Sequence, residues 1–378
     1  MMGNLPEDMI INILSRLPVK SLLRFRCVSK PWCSLIDDSD FVKMHLNHAI
    51  QKNKFNLLLL SEFDDEGYAH TIDCDTSYTE AIELDFPREA LGSSRFIFSG
   101  SCNGLLYLHN GQNDIIWNPC TREFKRLPKV PKGREKLDFA DEESLYGFGY
   151  SEVLDDYKVL KITEFCPEGD FVSSEIMVYT LGTNSWRVID GAPYSIGFGP
   201  QLIGNSNPHW LVSRYAISSV SGSIVCFDLV SEKFGEIEHP QCIGNIVSAG
   251  MIGGCLCLLN YLEETRADVW VMKDYGVKES WFKLFTISRS TVIRTLEFLG
   301  ILCLPRKGIV LLEDFYHHLV LYNLKLKKAR NLKVCGVPAK WDETVVYVGS
   351  LVSLKSGTYV GQEQLKRKMR QSPEMKAK

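Results

Sequence analysis

Four places in this 378-residue chain carry residue types that do chemistry elsewhere. Asp155 and Asp156 are neighbouring carboxylates, the raw material for a general acid and a general base. They stand between two apolar runs, Tyr146–Tyr150 and Tyr157–Ile162, where a pair of aspartates more readily makes the turn of a hairpin. Gly147-Phe148-Gly149 opens like a dinucleotide loop. Such a loop needs a third glycine where Glu152 stands, and a helix directly after it. Cys255 and Cys257 are two apart, so in a strand they share one side. A zinc site needs a second Cys or His pair at ligand spacing, and none follows. His317-His318 lacks a partner set in the same way, and at least one of the two is expected to face solvent. We find no Ser-centred elbow, no phosphate loop and no zinc-protease helix. The residues therefore point to no catalytic, cofactor-binding or metal-binding set.

The elements around these residues are short. From Phe55 to Val352 the chain reads as brief apolar or alternating runs bounded by Gly, Asn, Asp, Ser or Pro, the pattern of many β-strands joined by turns. Examples are Phe55–Leu60, Phe96–Phe98, Gly104–Leu108, Ile115–Trp117, Leu145–Tyr150, Tyr157–Ile162 and Ile176–Tyr179. No amphipathic stretch of helical length stands out there. A repeat runs through the region: Ile115–Pro128, Met177–Ile189, Ile224–Ile237, Val269–Phe285, Leu319–Leu332 and, more faintly, His70–Leu84. Each is an apolar pair, a polar turn and a second apolar strand. An aromatic follows the turn in three of them, at Phe124, Trp186 and Phe234. Taking Asp73, Asn118, Thr180, Asp228, Met272 and Asn323 as equivalent gives a period of roughly 40–50 residues, with one longer interval, as in propeller blades. Blades bury their faces against their neighbours, and Trp117, Trp186, Trp270 and Trp281 are large enough to fill the space between them. The competing arrangement is an irregular β-sandwich or mixed sheets. Pro131–Leu145 and Cys166–Ser173 read as loops.

The totals set further bounds. A composition of 45% hydrophobic and 24% charged residues is that of an ordinary globular protein. A net charge of −3 gives no general attraction to nucleic acid or membrane. The twelve cysteines are scattered, and there is neither an Asn-X-Ser/Thr acceptor nor an N-terminal apolar segment, so a reducing, cytoplasmic or nuclear setting is expected. Ile243–Leu262 carries no charge. Its Gly253-Gly254 pair reads as a turn between two strands rather than the middle of a membrane span. The last stretch, residues 361–378, is basic and without aromatics, and is expected to be a disordered tail or a nuclear signal.

Leu5–His45 has a different texture. Met9, Ile10, Ile13, Leu14 and Leu17 recur at helical spacing on one face. Pro18 interrupts. A second helix carries Val19, Leu22, Leu23 and Phe25 towards Val28. Ser29 is a suitable N-cap with Pro31 in the first turn of a third helix bearing Trp32, Leu35 and Ile36. A further helix runs past Phe41 to about Ile50. Domains below about 40 residues rarely bury their apolar surface alone, so part of this surface must face the rest of the chain or another protein.

This segment resembles an F-box. The residues that carry the likeness are Leu5, Pro6, Asp8, Ile13, Leu14, Arg16, Leu17, Pro18, Lys20, Ser21, Leu22, Arg24, Phe25, Cys27, Val28, Ser29, Lys30, Trp32, Leu35, Ile36 and Phe41. Asn12 departs from the Glu common at that position, on the polar face. The alternative is an ordinary helical subdomain packed on its own chain. The remainder, from about Asn53 to Leu354, resembles the F-box-associated, kelch-propeller-like interaction domain of plant F-box proteins. The matching segments are Ser101–Leu108, Trp117–Pro128, Tyr146–Ile162, Val178–Ile189, Trp210–Arg214, Gly253–Leu259 and Asp268–Phe285. Within the family, the pattern is nearest to the group that restrains plant immune receptors.

The expected fold is mainly β with a small all-α N-terminal module. A three-helix F-box occupies residues 1–50, a propeller-like domain of about six short repeats residues 51–360, and the tail residues 361–378. The resemblance implies a substrate receptor of a Skp–cullin–F-box ubiquitin ligase, with no catalysis or cofactor of its own. Its implied partners are a Skp-type adaptor, through it a cullin and a RING protein, and an unidentified target, with no nucleic acid and no membrane. The implied adaptor contacts are Leu5, Pro6, Ile13, Leu14, Leu17, Pro18, Leu22, Cys27, Val28 and Trp32. Two other readings stay open: an F-box scaffold that works without a ligase, and an enzyme on a propeller fold.

Overall fold

The computed structural model describes residues 6–52, 54–63, 66–74, 80–92, 96–131, 142–165, 173–192, 207–211, 224–240, 245–263, 265–290, 293, 299–306, 308–314, 316–337 and 341–354. Leu5 and the tail lie outside them, as do most of the two long loops.

Four helices come first: α1 (Glu7–Leu14), α2 (Val19–Phe25), α3 (Lys30–Ile36) and α4 (Ser39–Gln51). The module thus has one helix more than three, and α4 is the one expected beyond Phe41. Strands β1 (Phe55–Phe63), β2 (Glu66–Asp73) and β3 (Ala81–Leu84) begin the first blade, and a single turn of helix, α5 (Arg88–Leu91), follows. Blade 2 is β4 (Ile97–Cys102), β5 (Leu105–His109), β6 (Asp114–Trp117) and β7 (Phe124–Arg126). Blade 3 is β8 (Glu142–Ser151), β9 (Asp156–Phe165), β10 (Ser173–Thr180) and β11 (Ser185–Ile189). Blade 4 shows β12 (His209–Leu211), β13 (Ile224–Asp228) and β14 (Lys233–Ile237). Blade 5 is β15 (Asn245–Ile252), β16 (Cys255–Glu263), β17 (Arg266–Met272) and β18 (Trp281–Ser288). Blade 6 is β19 (Gly300–Arg306), β20 (Ile309–Glu313), β21 (Leu319–Asn323) and β22 (Lys328–Asn331). The last strand, β23 (Glu343–Val348), returns to pair antiparallel with β1, from Phe55↔Val348 to Leu60↔Glu343. It completes blade 1 and closes a six-bladed ring from both ends of the chain.

All six repeat hairpins read from the sequence are the outer two strands of a blade: β2–β3, β6–β7, β10–β11, β13–β14, β17–β18 and β21–β22. The turns of β6–β7, β13–β14 and β21–β22 share one chemistry. The side-chain oxygens of Asn118, Asp228 and Asn323 accept hydrogen bonds from backbone N–H groups two or three residues on, at 2.8–2.9 Å for Cys120, Val230 and Leu326. Four residues after each, and after Thr180, the chain enters the left-handed region, at Arg122, Glu232, Lys327 and Asn184 with φ of 63°, 56°, 52° and 52°. The uncharged stretch at Ile243–Leu262 is β15 and β16, turned by Gly253 and Gly254 at positive φ. No helix among the described residues is long and apolar enough to cross a membrane.

The inner strands are apolar on both sides because both sides are buried. Leu57 and Leu59 of β1 enter the seam with blade 6, whereas Leu58 and Leu60 enter the seam with blade 2. Trp117 is fully buried there, its ring edge-on to Phe86 at 5.4 Å. Trp210, buried between blades 3 and 4, fills the same kind of gap. Trp281 is buried, but Trp186 and Trp270 are only half-buried. Trp186 sits on β11, an outer strand, where one ring face meets Tyr179 at 5.4 Å and its Nε1–H donates to the Pro128 carbonyl at 2.8 Å. An outer strand has fewer layers above it, which is why this tryptophan is not enclosed. Blades 3 and 4 are also joined by the buried Lys158, whose Nζ donates to the Leu229 carbonyl at 2.6 Å and to Glu232 Oε1 at 2.7 Å.

Candidate functional site

The helices are positioned by local signals the sequence carries. Glu7 and Asp8 lie in the first turn of α1, where acidic groups favour the helix dipole. Pro18 caps α2 with extended backbone. The Ser29 hydroxyl accepts from the Trp32 N–H at 3.3 Å at the start of α3. Asp38 caps α4 by accepting from Asp40 and Phe41. Between helices, Arg26 pairs with Asp37 at 2.6 Å and Phe25 meets Trp32 edge-on at 5.5 Å. His45 on α4 is buried, and burial holds its imidazole below the ordinary histidine value. Its Nε2 is 2.8 Å from the Leu17 carbonyl, to which the neutral ring donates.

One face of this module is docked on the ring. Leu14, Val19, Leu22, Ile36, Phe41 and Val42 form one apolar cluster with residues of blades 2 and 3 and the segment after β23, among them Leu105, Tyr107, Phe148, Tyr179, Leu351 and Val352. Lys43 of α4 reaches Asp155 at 3.6 Å. The chain passes from α4 to β1 within a few residues, and the Lys54 N–H donates back to the Ala49 carbonyl at 2.9 Å. Helices and propeller therefore share a core rather than hanging on a tether.

The other face is open. Met9 and Ile13, one turn apart on α1, are 55% and 52% exposed, and Val28 after α2 is 62% exposed. Pro6, Pro18 and Cys27 are exposed too, while Leu17 and Trp32 are half-buried. Leu14 and Leu22 are buried in the chain's own core, at 2% and 0%. Of the adaptor contacts implied by resemblance, these two face inward in this chain, and Leu5 falls outside the described residues. Met9 was missing from that set, although its i, i+4 spacing to Ile13 marks the same face.

The residues first weighed for chemistry are placed as structural parts. Gly147 to Gly149 lie in β8, with no helix following. Asp155 and Asp156 end the tight β8–β9 turn, and Asp155 has a φ of 52°. Asp155 accepts from the Tyr150 hydroxyl. Burial raises the Asp156 carboxyl, yet it accepts from the backbone N–H of Tyr157 at 2.8 Å and of Gly182 at 3.0 Å. A Cβ at Gly182 would run into the Asp156 carboxylate, so that close contact needs glycine. Cys257 is buried in the seam of blades 5 and 6, with its thiol pushed up to about 12 by burial, and Cys255 packs against the same cluster. Among the described residues no group of three His, Cys, Asp or Glu is placed to hold a metal ion.

His317 and His318 lie on the rim away from the helices. His318, the more exposed, stands 3.0 Å from Asp314, and His317 stands 2.9 Å from Glu313. The hydrogen bond to Glu313 raises the His317 imidazole. Beside them, burial pushes the Glu343 carboxyl at the start of β23 up to about 7. Between the ordinary glutamate value and 7 the folded chain keeps a proton that the unfolded chain gives up, so this group lowers stability as pH rises through that window. The raised histidine acts in the same sense, its contribution present below the ordinary histidine value and lost above its folded value. Glu343→Gln should therefore gain stability over the parent as pH goes from 5 to 8, read as melting temperature. Parallel pH profiles for the two proteins would show that Glu343 is ionised throughout.

Comparison with known proteins agrees with this two-part layout. Residues 2–44 match the F-box domain, and residues 49–356 match the family described as the F-box associated beta propeller domain. The chain is 32% identical to the F-box protein CPR1 of Arabidopsis thaliana, over 93% of its own length and 89% of that protein. It is 30% identical to the F-box/kelch-repeat protein At3g23880 of the same plant, over 85% of its own length and 88% of that protein. Among solved structures, an oligogalacturonate lyase in complex with manganese aligns over 78% of this chain and 77% of its own, with a TM-score of 0.45 and 13% identity, too distant to inform on activity. The chain belongs to the F-box proteins in which the helical module is followed by an F-box-associated β-propeller.

Proposed function

We propose that this chain is the target-binding subunit of a Skp–cullin–F-box ubiquitin ligase. The observation that carries the reading is the open apolar face of the helical module, with Met9, Ile13 and Val28 exposed while the opposite face is docked on the propeller. A monomer leaves such side chains in water at a cost that a partner surface removes. The adaptor contacts on this reading are Pro6, Ile13, Pro18, Cys27 and Val28, flanked by Leu17 and Trp32, with Leu5 by family resemblance. Leu14 and Leu22 act from inside by holding the helices. The adaptor brings a cullin and a RING protein, and the propeller holds the target. The chain then contributes proximity rather than a reacting group, raising the effective concentration of a target lysine at the ubiquitin thioester. Degradation of the target follows from ubiquitination. The resemblance to the group that restrains plant immune receptors makes such receptors the first targets to assay.

The test is reconstitution. The purified chain alone should transfer no ubiquitin, and transfer to a captured target should appear only with adaptor, cullin, RING protein and conjugating enzyme together. A chain that captures the adaptor but never brings a cullin with it would support the scaffold reading instead.

A further inference from the structure

The turn between the two innermost strands of blade 3 differs from its counterparts. In blades 2, 5 and 6 that turn is two residues long and carries a glycine at positive φ, Gly104, Gly254 and Gly308 with φ of 80°, 81° and 81°. In blade 3 the last ladder pair is Ser151↔Asp156, so Glu152 to Asp155 make a longer turn. Two of its residues are apolar and face water: Val153 is 78% exposed and Leu154 47%. Turns are ordinarily built from Gly, Asn, Asp and Ser. The tip is held in place, since the Leu154 N–H donates to Ser151 Oγ at 3.2 Å and the Tyr150 hydroxyl donates to Asp155. Asp155 is also the residue that Lys43 of α4 reaches. From there Lys43, Asn47 and Ile50 follow one another at i, i+4 and i+7 along one face of α4, with Asn47 and Ile50 exposed. Just past that helix, Lys54 Nζ donates to the Arg16 carbonyl at 3.4 Å, at the end of α1. A strip about 10 Å long by helix rise thus joins the blade 3 turn to the open face of the module.

We propose that the Skp-type adaptor seated on the helices also packs against Val153 and Leu154 of the propeller. The inference rests on the receptor reading above for the identity of the partner, and on the local geometry for the place. A lasting interface uses about 20–30 residues a side. The open face of the helices offers Met9, Ile13 and Val28 as its large exposed apolar side chains, so an adaptor confined to it would bury little apolar area. Reaching across α4 adds two more such side chains. They stand on a turn that is already fixed, so little ordering cost is added on binding. Glu152, exposed beside them, supplies a polar rim. An adaptor held at both places touches helices and propeller together, and itself helps to set the direction in which the propeller presents a target.

The experiment uses the full chain and purified adaptor. Val153→Ser with Leu154→Asn should weaken adaptor binding at least ten-fold by titration calorimetry. The melting temperature should not change, since both side chains are exposed in the free chain. Val230→Ser is the control. It removes an apolar residue, 47% exposed, from the outer turn of blade 4, and should leave binding unchanged. Benzoylphenylalanine in place of Val153 should, on irradiation, join the chain covalently to the adaptor, and the same group in place of Val230 should not. If the double variant melts lower than the parent, the cross-link decides alone. Undiminished binding by the double variant would overturn the proposal. So would a cross-link from position 153 to a second copy of the chain, or one that forms only with an added target. In each of those cases capture of the adaptor by the parent chain leaves the receptor reading standing. A parent chain that binds no adaptor removes the receptor reading and the proposal with it.

Discussion

Ile13→Asp combined with Val28→Asp should abolish capture of a Skp-type adaptor while leaving the melting temperature of the chain within a degree or two of the parent. Both side chains are more than half exposed, so the folded chain loses almost no packing when they change. In the complex each would be buried. Burying one such side chain contributes roughly 1.5–3 kcal/mol, and the two together about 3–6 kcal/mol, or between a hundred-fold and ten-thousand-fold in affinity. The introduced carboxylates add desolvation in the same direction. Leu14→Ala and Leu22→Ala make the contrast. Those residues lie in the core shared by helices and propeller, so their loss should lower the melting temperature first and adaptor capture only as a result. Retention of adaptor by the double aspartate variant, measured by pull-down and by titration calorimetry, would move the docking surface elsewhere on the chain.

The second large effect is expected at the seam of blades 1 and 2. Trp117→Ala should cost about 3–5 kcal/mol, the range for emptying a fully enclosed aromatic site. That is a large part of a typical domain's stability. Trp117 is fully buried among Leu58, Leu106, Ile115 and Val345, and little around it can collapse inward without breaking ladder pairs on either side. Trp186→Ala should cost less than half as much, since that ring is half-buried and keeps one hydrogen bond to Pro128. Urea unfolding of the two variants gives the comparison directly. Equal costs would mean that the outer strands bear as much of the packing as the inner ones.

The contrast between these tryptophans shows what sequence can and cannot convey. The outer hairpins were legible because their turns need particular side chains: Asn118, Asp228 and Asn323 each cap their own backbone, and the strands on either side alternate. That pattern marks a hairpin without saying how far it lies from solvent, so Trp186 and Trp117 looked alike. Strand β23 was not among the repeats, because Glu343–Val348 has no hairpin partner in sequence and finds β1 only when the ring closes. The helical module was legible from its spacing and caps. Which side of it faces the ring was not. Leu14 and Ile13 are adjacent apolar residues with the same periodicity, and only the packing of blades 2 and 3 assigns one to the core and leaves the other in water.

The closing strand also sets a timetable for synthesis. β1 leaves the ribosome early, with the run Phe55–Leu60 whose edge is satisfied by β23. About 280 further residues must be made before that partner exists, which at about 5–20 residues per second is a wait on the order of 15–60 s. Throughout it, an apolar strand edge is open to any passing chain. A message truncated anywhere before Glu343 makes that wait permanent. Chains cut there are expected to be captured by chaperones or to aggregate rather than persist as smaller receptors, so a prematurely stopped allele should behave as a null and not as a competitor for the target.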